Sequence, residues 1–470
     1  MSNQWRVRAV CLAGLSLPLS ACSTSRPFYE KELLASYQRE VEPVGNLTTP
    51  FSQPHESGGV IAPLITEDSS LDDCLLYALM NSPEVQAAYY RWQADTERID
   101  QATALPDPML MLGRVLTKAE MRYAVGLSQM IPSWGKRELR GREASEMADA
   151  GRKRFEAAAL ALRYRVAGAF YELQYVADAA AITKQNIELL RSLEEVAAAQ
   201  YQIATTSVAD LVRIQIELAE LEDRLAQLAD RRQALAARLN AAMNRPHDAP
   251  VPFGRGIESM MVSASADELL VMLRESNPEL HGMDHEVDAA RLGTELARRE
   301  RLPDFTLGLG FEDMRNPDGD LMDPLMLSVS MNLPLWREKN EAQLGESIAR
   351  RLALSADRLG RSNALSAELG EALYEHRDAN RRLALYRDTL LPKADQSLAS
   401  LLALYQAGRG GFLDILDAER TLLEFRLAQQ RAAADSAIAL AQLDMIVGRP
   451  VPVESHAGAV PHTPEVEMNP

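Results

Sequence analysis

The sequence predicts a mainly α-helical protein with a small β part, built as two tandem copies of one helix–hairpin–long coiled-coil unit. Three observations carry that expectation. Short motifs recur in the same order at a nearly constant offset. Short stretches in both copies alternate large apolar residues with small or polar ones. Two spans of more than sixty residues carry almost no helix breaker.

The recurrences come first. Ser70-Leu-Asp-Asp73 reads as a capping box, a serine whose hydroxyl takes an orphan N–H and an acid three residues on that returns the bond. Ser265-Ala-Asp-Glu268 repeats it 195 residues later. Asn81-Ser-Pro-Glu84 matches Ser276-Asn-Pro-Glu279, and Leu105-Pro-Asp107 matches Leu302-Pro-Asp304. Ile131-Pro-Ser-Trp134 matches Leu333-Pro-Leu-Trp336, Tyr171-Glu172 matches Tyr374-Glu375, Tyr201-Gln202 matches Tyr405-Gln406, and Arg245-Pro246 matches Arg449-Pro450. The offset drifts from 195 to 204 and never reverses, most of it between Asp107 and Pro132, where the second copy carries the longer loop MRNPDGDLMDP. Chance matches do not keep order, so a unit of about 180 residues is duplicated. The expected boundaries are 70–246 and 265–450 for the repeats, with a linker at 247–264 and a flexible tail at 451–470.

Within each unit the pattern runs helix, two strands, two long helices. Strands are expected near 109–116 and 122–131, and near 305–312 and 325–333. In FTLGLGFE, Phe305, Leu307, Leu309 and Phe311 share one face, and Thr306, Gly308, Gly310 and Glu312 the other. In the next strand Leu325, Leu327, Val329, Met331 and Leu333 oppose Met326, Ser328, Ser330 and Asn332. Tyr123, Val125, Leu127 and Ile131 oppose Arg122, Ala124, Gly126 and Ser128 in the first unit. A soluble sheet shows this pattern when its apolar face packs on helices. A membrane barrel strand shows it with lipid outside and water inside. Four strands cannot close in lipid without leaving backbone groups unpaired, so the barrel reading needs an oligomer, and three copies would supply twelve strands.

The helices that follow are long. Between Glu138 and Tyr201 there is no proline, and the only glycines are Gly141, Gly151 and Gly168. That span is about 95 Å at 1.5 Å per residue. Leu211, Ile214, Leu218, Leu221, Leu225, Leu228, Leu235 and Leu239 follow a 3.5-residue coiled-coil repeat on the return. The second unit is less regular, from Arg337 to Tyr405 and Phe412 to Val447, with Pro392 expected to kink its longer helix.

Composition bounds the function. The formal net charge of −17 and the lack of a basic stripe exclude a nucleic-acid surface. Arg6 and Arg8 precede AVCLAGLSLPL, of signal-peptide length and too short to span a bilayer. Leu19-Ser-Ala-Cys22 resembles the bacterial lipobox, which implies cleavage after residue 21, acylation of Cys22 and an extended linker over 22–69. Ser23 in the following position implies the outer membrane. Cys11 would leave with the signal, so Cys74 alone stays unmodified, a small core residue in an apolar helical face. No later window has the 18 apolar residues of a transmembrane helix.

Enzyme signals are absent. His285-Glu286-Val-Asp-Ala289 lacks the second histidine of a zinc-protease motif, and there is no phosphate loop or nucleophile elbow. His281 and His285, spaced i, i+4 with Asp284 and Asp288 nearby, have a geometry able to hold zinc, but two such ligands on an exposed helix read more simply as solvated residues, and no metal or cofactor is expected. The 18 methionines fall mostly at core or strand positions and read as packing.

The duplication, the hairpins each followed by a proline exit (Pro132, Pro334), and Tyr405-Gln-Ala-Gly408 running into Phe412-Leu-Asp-Ile-Leu-Asp-Ala418 resemble the TolC-like outer-membrane efflux proteins over about residues 70–450. That resemblance implies a homotrimer forming a twelve-stranded outer-membrane barrel continued by a periplasmic helical barrel. It also implies docking to a periplasmic adaptor and an inner-membrane pump of the resistance-nodulation-division type. FTLGLGFE would then be barrel wall, with a strand from a neighbouring protomer among its partners. Asp414 and Asp417, three apart on one helical face, match the acidic rings of the periplasmic entrance, though acids at a helix N-terminus also favour the dipole with no gate. Tyr405 and Asp210 sit where the family places a gate bond. Arg409 is the candidate basic partner, one position before the family's arginine at Gly410. The exit Ile131-Pro-Ser-Trp-Gly-Lys136 resembles relatives that serve heavy-metal cation pumps, implying metal cations or small toxic compounds as cargo. A type I protein-secretion duct and a lipid-anchored periplasmic coiled-coil scaffold remain as alternatives.

Overall fold

The computed structural model describes residues 65–116, 121–133, 135–202, 208–254, 256–258, 260–312, 325–406, 409 and 411–455. The signal, Cys22, Trp134, the loop at 313–324, Gly408 and Gly410 lie outside the described residues.

Helix α1 (Leu71–Asn81) opens on Ser70, whose hydroxyl accepts the Asp73 N–H while the Asp73 carboxylate accepts the Ser70 N–H at 2.8 Å. Helix α2 (Pro83–Thr103) begins on a proline, whose missing N–H costs nothing in a first turn. Strands β1 (Met109–Leu116) and β2 (Met121–Ile131) follow, then α3 (Lys136–Gln202) and α4 (Val208–Ala242). The 67 unbroken residues of α3 are about 100 Å long. After a short β3 (Met260–Val262) the order recurs as α5 (Ala266–Ser276), α6 (Pro278–Arg299), β4 (Phe305–Glu312), β5 (Leu325–Met331) and α7 (Arg337–Leu385). A π turn at Tyr386–Leu390 leads to α8 (Leu391–Gln406), then α9 (Phe412–Val447) and β6 (Val453–Ser455). Ser265 and Glu268 rebuild the capping box at α5.

The π turn is the form the expected kink takes. Pro392 has no N–H to give the helical ladder, and in the turn just before it the Leu391 N–H reaches back five residues to the Tyr386 carbonyl. The first repeat has no proline there and runs straight through.

Both repeats close on a left-handed residue before the matched Arg-Pro: Asn244 at φ 57° and Gly448 at φ 91°. That residue terminates the last helix by leaving its carbonyls to local partners. Each closure is tied to the N-terminal helix pair of its own repeat. Asn244 Nδ2 donates to the Asn81 carbonyl at 3.2 Å, and Asn277 Nδ2 donates to the Ile446 carbonyl at 2.7 Å.

Two apolar clusters hold the second repeat together and join it to the first. Leu269, Leu273 and Leu280 pack with Leu369, Leu443 and Ile446. Ile187, Leu190, Ile214, Leu218 and Leu221 of the first coiled coil pack with Phe412, Leu423 and Leu427 of α9. The heptad residues of α4 thus pack chiefly on α3 of their own repeat, and α9 of the second repeat joins the same cluster mainly through α3. Arg431 adds a polar bond across the same boundary. It reaches Glu172 Oε1 at 3.0 Å, lies 5.0 Å above the Tyr175 ring, and pairs with Asp435. These acids hold its guanidinium charged against the opposing effect of burial.

Two expectations need correction. Strand β5 ends at Met331, two residues short of Leu333. Asn332 still faces Asp304, donating its N–H to the Asp304 carbonyl at 3.3 Å, but the Asp304 N–H goes to the Asn332 side chain instead of its backbone. Residues inside the expected linker and the expected tail form a two-stranded antiparallel sheet, pairing Val262 with Val453 and Met260 with Ser455. Neither stretch has an alternating pattern long enough to announce a strand. A histidine fixes this sheet to the helices. The buried His376 of α7 holds its Nδ1 3.0 Å from the Ser436 carbonyl, and its Nε2 accepts the Val262 N–H at 3.3 Å. Only a neutral imidazole makes both bonds, and burial lowers its pKa, ahead of the opposing Ser436 bond. The unfolded chain takes up a proton near the ordinary value of 6.5 while the folded chain resists, so this contribution is full above that pH and is lost as pH falls below it. We expect protection of the Val262 amide in hydrogen exchange to weaken between pH 7 and 5 relative to the Leu273 amide, and His376→Gln to remove that difference.

Candidate functional site

Strands β1, β2, β4 and β5 form one antiparallel sheet in that order. Its register is continuous across both repeats. Leu127 stands opposite Leu110 and Leu309, and Leu309 opposite Leu327. Val125 is flanked by Leu112 and Phe311, and Phe311 pairs with Leu325. The other face repeats small residues: Ser128 opposite Gly308, Gly308 opposite Ser328, and Gly126 opposite Gly310. Methionines 109, 111, 130 and 326 interrupt that small face. A Cβ on Gly308 would stand 2.4 Å from Ser328 Oγ, so the Ser328 hydroxyl would have to rotate to admit one.

The apolar face is bare. Leu112 is 72 % exposed, Leu325 69 % and Leu327 78 %, and Phe305, Leu309 and Phe311 are exposed as well. A hairpin sheet packed on helices would bury these residues, so nothing in the described chain covers the face. Strand β4 is interior, paired on both sides within its own chain. The expectation that FTLGLGFE pairs with a neighbouring protomer is therefore corrected; the edges left open among the described residues are β1 and β5. The reason is topological, because the two hairpins join through their middle strands β2 and β4. Among the described residues no helix is long and apolar enough to cross a membrane.

A polar knot ties this sheet to the helices. Lys136, the first residue of α3, is fully buried. Its ammonium donates to the Leu302 carbonyl at 2.9 Å and to Asp304 Oδ1 at 3.0 Å, with Glu300 Oε2 at 3.5 Å. Asp304 Oδ1 also accepts the Ser133 N–H at 2.7 Å, and the Asp304 N–H donates to Asn332 Oδ1 at 2.5 Å. Burial pushes the Asp304 carboxyl up, but the Ser133 N–H and the Lys136 ammonium together outweigh it and hold it below the usual carboxylate value. Sequence reasoning used Lys136 only as part of a motif. The available signal was a lysine at the first residue of the helix after the proline exit, with an acid in the matched Leu302-Pro-Asp304 to receive it.

At the far ends of the coiled coils, Asp414 and Asp417 lie exposed on the first turns of α9, while Phe412 before them and Ile415 between them turn inward. Glu419 of the same motif is buried. It accepts Asn186 Nδ2 at 3.3 Å, and burial raises its pKa. Tyr405 stands edge-on to Phe412 at 5.8 Å, and both belong to the cluster against which Leu211, the neighbour of Asp210, packs. The fold thus brings Tyr405 and the start of α4 to one end of the molecule. Arg409 is exposed and its N–H donates to the Leu404 carbonyl at 3.0 Å.

The histidine pair on α6 is divided by its surroundings. Asp284 takes both ends of the Arg358 guanidinium at 2.8 and 3.1 Å, and Asp288 pairs with Arg291 at 3.2 Å. Neither joins His285, which instead sets Nδ1 2.8 Å from Glu146 Oε2 on α3.

Comparison with known proteins bears on this arrangement. Residues 269–449 match the outer membrane efflux protein family. The cobalt-zinc-cadmium resistance protein CzcC of Cupriavidus metallidurans is 26% identical over 198 residues, 40% of this chain and 44% of that relative, so the chain matches less than half the length of that relative. Among solved structures, CusC superposes with TM-score 0.70 at 16% identity, covering 86% of this chain and 98% of that one. VceC of Vibrio cholerae superposes with TM-score 0.67 at 18% identity, covering 81% and 96%. At such identity the likeness shows a shared fold.

Proposed function

We propose, from the premise that this chain belongs to the outer membrane efflux protein family, that it is one third of an outer-membrane exit duct. Three copies of the four-stranded sheet supply twelve strands, each β5 edge pairing with the next chain's β1. The described strands run 7 to 11 residues, at or just under the about 9–11 of a tilted membrane strand. The observation that carries the reading is the bare apolar face. Lipid covers it, the small residues of the opposite face line water, and closure satisfies the two edges that lipid would leave unpaired. A periplasmic scaffold would have its hairpins packed on helices, and this sheet is not so packed.

The helices extend the duct into the periplasm, where an adaptor and an inner-membrane pump of the resistance-nodulation-division type supply energy. Cys22 is acylated and anchors the mature chain in the outer membrane. The duct needs no catalytic group or cofactor. Its cargo is metal cations, supported by the CzcC similarity and by the Ile131-to-Lys136 exit, with small toxic compounds as the wider class. At the tips, Asp414 and Asp417 from three chains gather six carboxylates at the entrance, which repel one another and attract cations. Tyr405, Asp210 and Arg409 latch the coiled coils that carry them.

The test is single-channel conductance of purified protein in a planar bilayer. Wild type should form a narrow, cation-preferring pore, and Asp414→Ala/Asp417→Ala a more conductive, less selective one. A pore indifferent to the substitutions would keep the duct and discard the acidic entrance. Folded trimers that form no pore would overturn the duct itself.

A further inference from the structure

We propose that Glu146, Asp149 and His285 form a binding site for a divalent cation of the zinc class, bridging the two repeats. Glu146 and Asp149 are three residues apart, so they share one face of α3. Helix α6 of the second repeat sets His285 against that face. One ligand atom from each residue lies within 4.8 Å of the other two, and all three side chains are half-buried. The donor set of an imidazole and two carboxylates, with a position left for water, is one that zinc-class cations accept.

The surroundings leave this cluster free to serve. The acids of α6 nearest His285 in sequence are engaged by arginines: Asp284 by Arg358, Asp288 by Arg291 and Glu286 by Arg154. Among the described residues Asp149 has only a loose pair with Arg152 at 3.7 Å, and Arg152 also reaches Glu156 at 3.3 Å. The one ion pair of Glu146 among the described residues is with His285, at 2.8 Å. On binding, the Nδ1 lone pair of His285 goes to the cation. The hydrogen shared with Glu146 moves to Nε2 as the tautomer changes, or leaves to water from a protonated ring. The two carboxylates balance the charge of the ion. His281, one turn earlier on α6, is not part of the cluster.

This site is separate from the entrance acids and holds whether or not the cargo is a metal. Its test is zinc titration of the chelator-stripped, detergent-solubilised full chain by calorimetry, with cobalt absorption as a second readout. Wild type should bind one ion per chain at this site. His285→Gln, and separately Glu146→Gln/Asp149→Asn, should weaken it by about 10-fold or more, as loss of a ligand does. His281→Gln and Asp414→Ala/Asp417→Ala should leave it unchanged. Trimer state and helicity of each variant are read first, and either ligand variant that folds suffices. Variants that bind like wild type overturn the site, as does a signal lost only with the entrance acids. Conductance reads the duct independently, so failure of the site and failure of the duct are distinguishable.

Discussion

Lys136→Met should be the most damaging single substitution outside the apolar core. The ammonium is fully buried and satisfies Asp304, Glu300 and the Leu302 carbonyl together. Removing one partner of a buried pair strands the other charge in a poor solvent, at a cost of about 3–5 kcal/mol. Arg140, 3.2 Å from Glu300, relieves that acid but does not reach Asp304. Unfolding of the detergent-solubilised trimer followed by far-UV circular dichroism, with urea at several pH values, measures the effect. Lys136→Met/Asp304→Leu should recover much of the loss, because an apolar pair is tolerated where a half-pair is not. The pH dependence adds a second signature. The folded pKa of Asp304 lies below 3.8, so its contribution is complete above that value and is lost as pH falls through the lowered one. In Lys136→Met the stranded carboxylate gains from protonation instead, so the gap from wild type should narrow in acid. A variant as stable as wild type at neutral pH would show that the knot holds nothing.

Gly448→Ala should cost about 2–4 kcal/mol, the sum of backbone strain and local overpacking. At φ 91° the backbone is one that side chains rarely adopt, and the new Cβ would stand 2.5 Å from the Ser276 carbonyl oxygen and 2.9 Å from Asn277 Cα. Those are backbone atoms of the α5–α6 turn, held by the Asn277 bond to Ile446, so they cannot swing aside. The matched position in the first repeat offers the control. Asn244 occupies the left-handed region already at φ 57°, so Asn244→Gly loses only one exposed hydrogen bond and should cost about 1 kcal/mol or less. Equal effects at the two sites, by the same unfolding measurement, would sink the argument from close approach.

Elements were legible wherever the signal is periodic and local. The capping boxes at Ser70 and Ser265 are four-residue chemistry. The strands at 305–312 and 121–131 follow from alternation, and the long helices from the lack of breakers. Pro392 announced a disturbance because a missing N–H cannot be hidden in a helix. The β3–β6 sheet escaped notice because three-residue strands carry no pattern, and their pairing spans the whole second repeat. The candidate site divided the same way. Asp414 and Asp417 were visible as a spacing on one helix, whereas the acids beside His285 belong to another repeat, 139 residues away for Glu146.

The sequence by itself determined the duplication, the kind and order of the main elements, and the two-faced character of the hairpins, because each is written in residues close along the chain. Only the tertiary structure decided that β2 meets β4, leaving β1 and β5 as the open edges. It alone showed that the apolar face is uncovered, that Lys136 is buried between two acids, and that His285 faces Glu146. These are outcomes of packing between distant segments, where many local patterns are satisfied at once and the pairing depends on which surfaces fit.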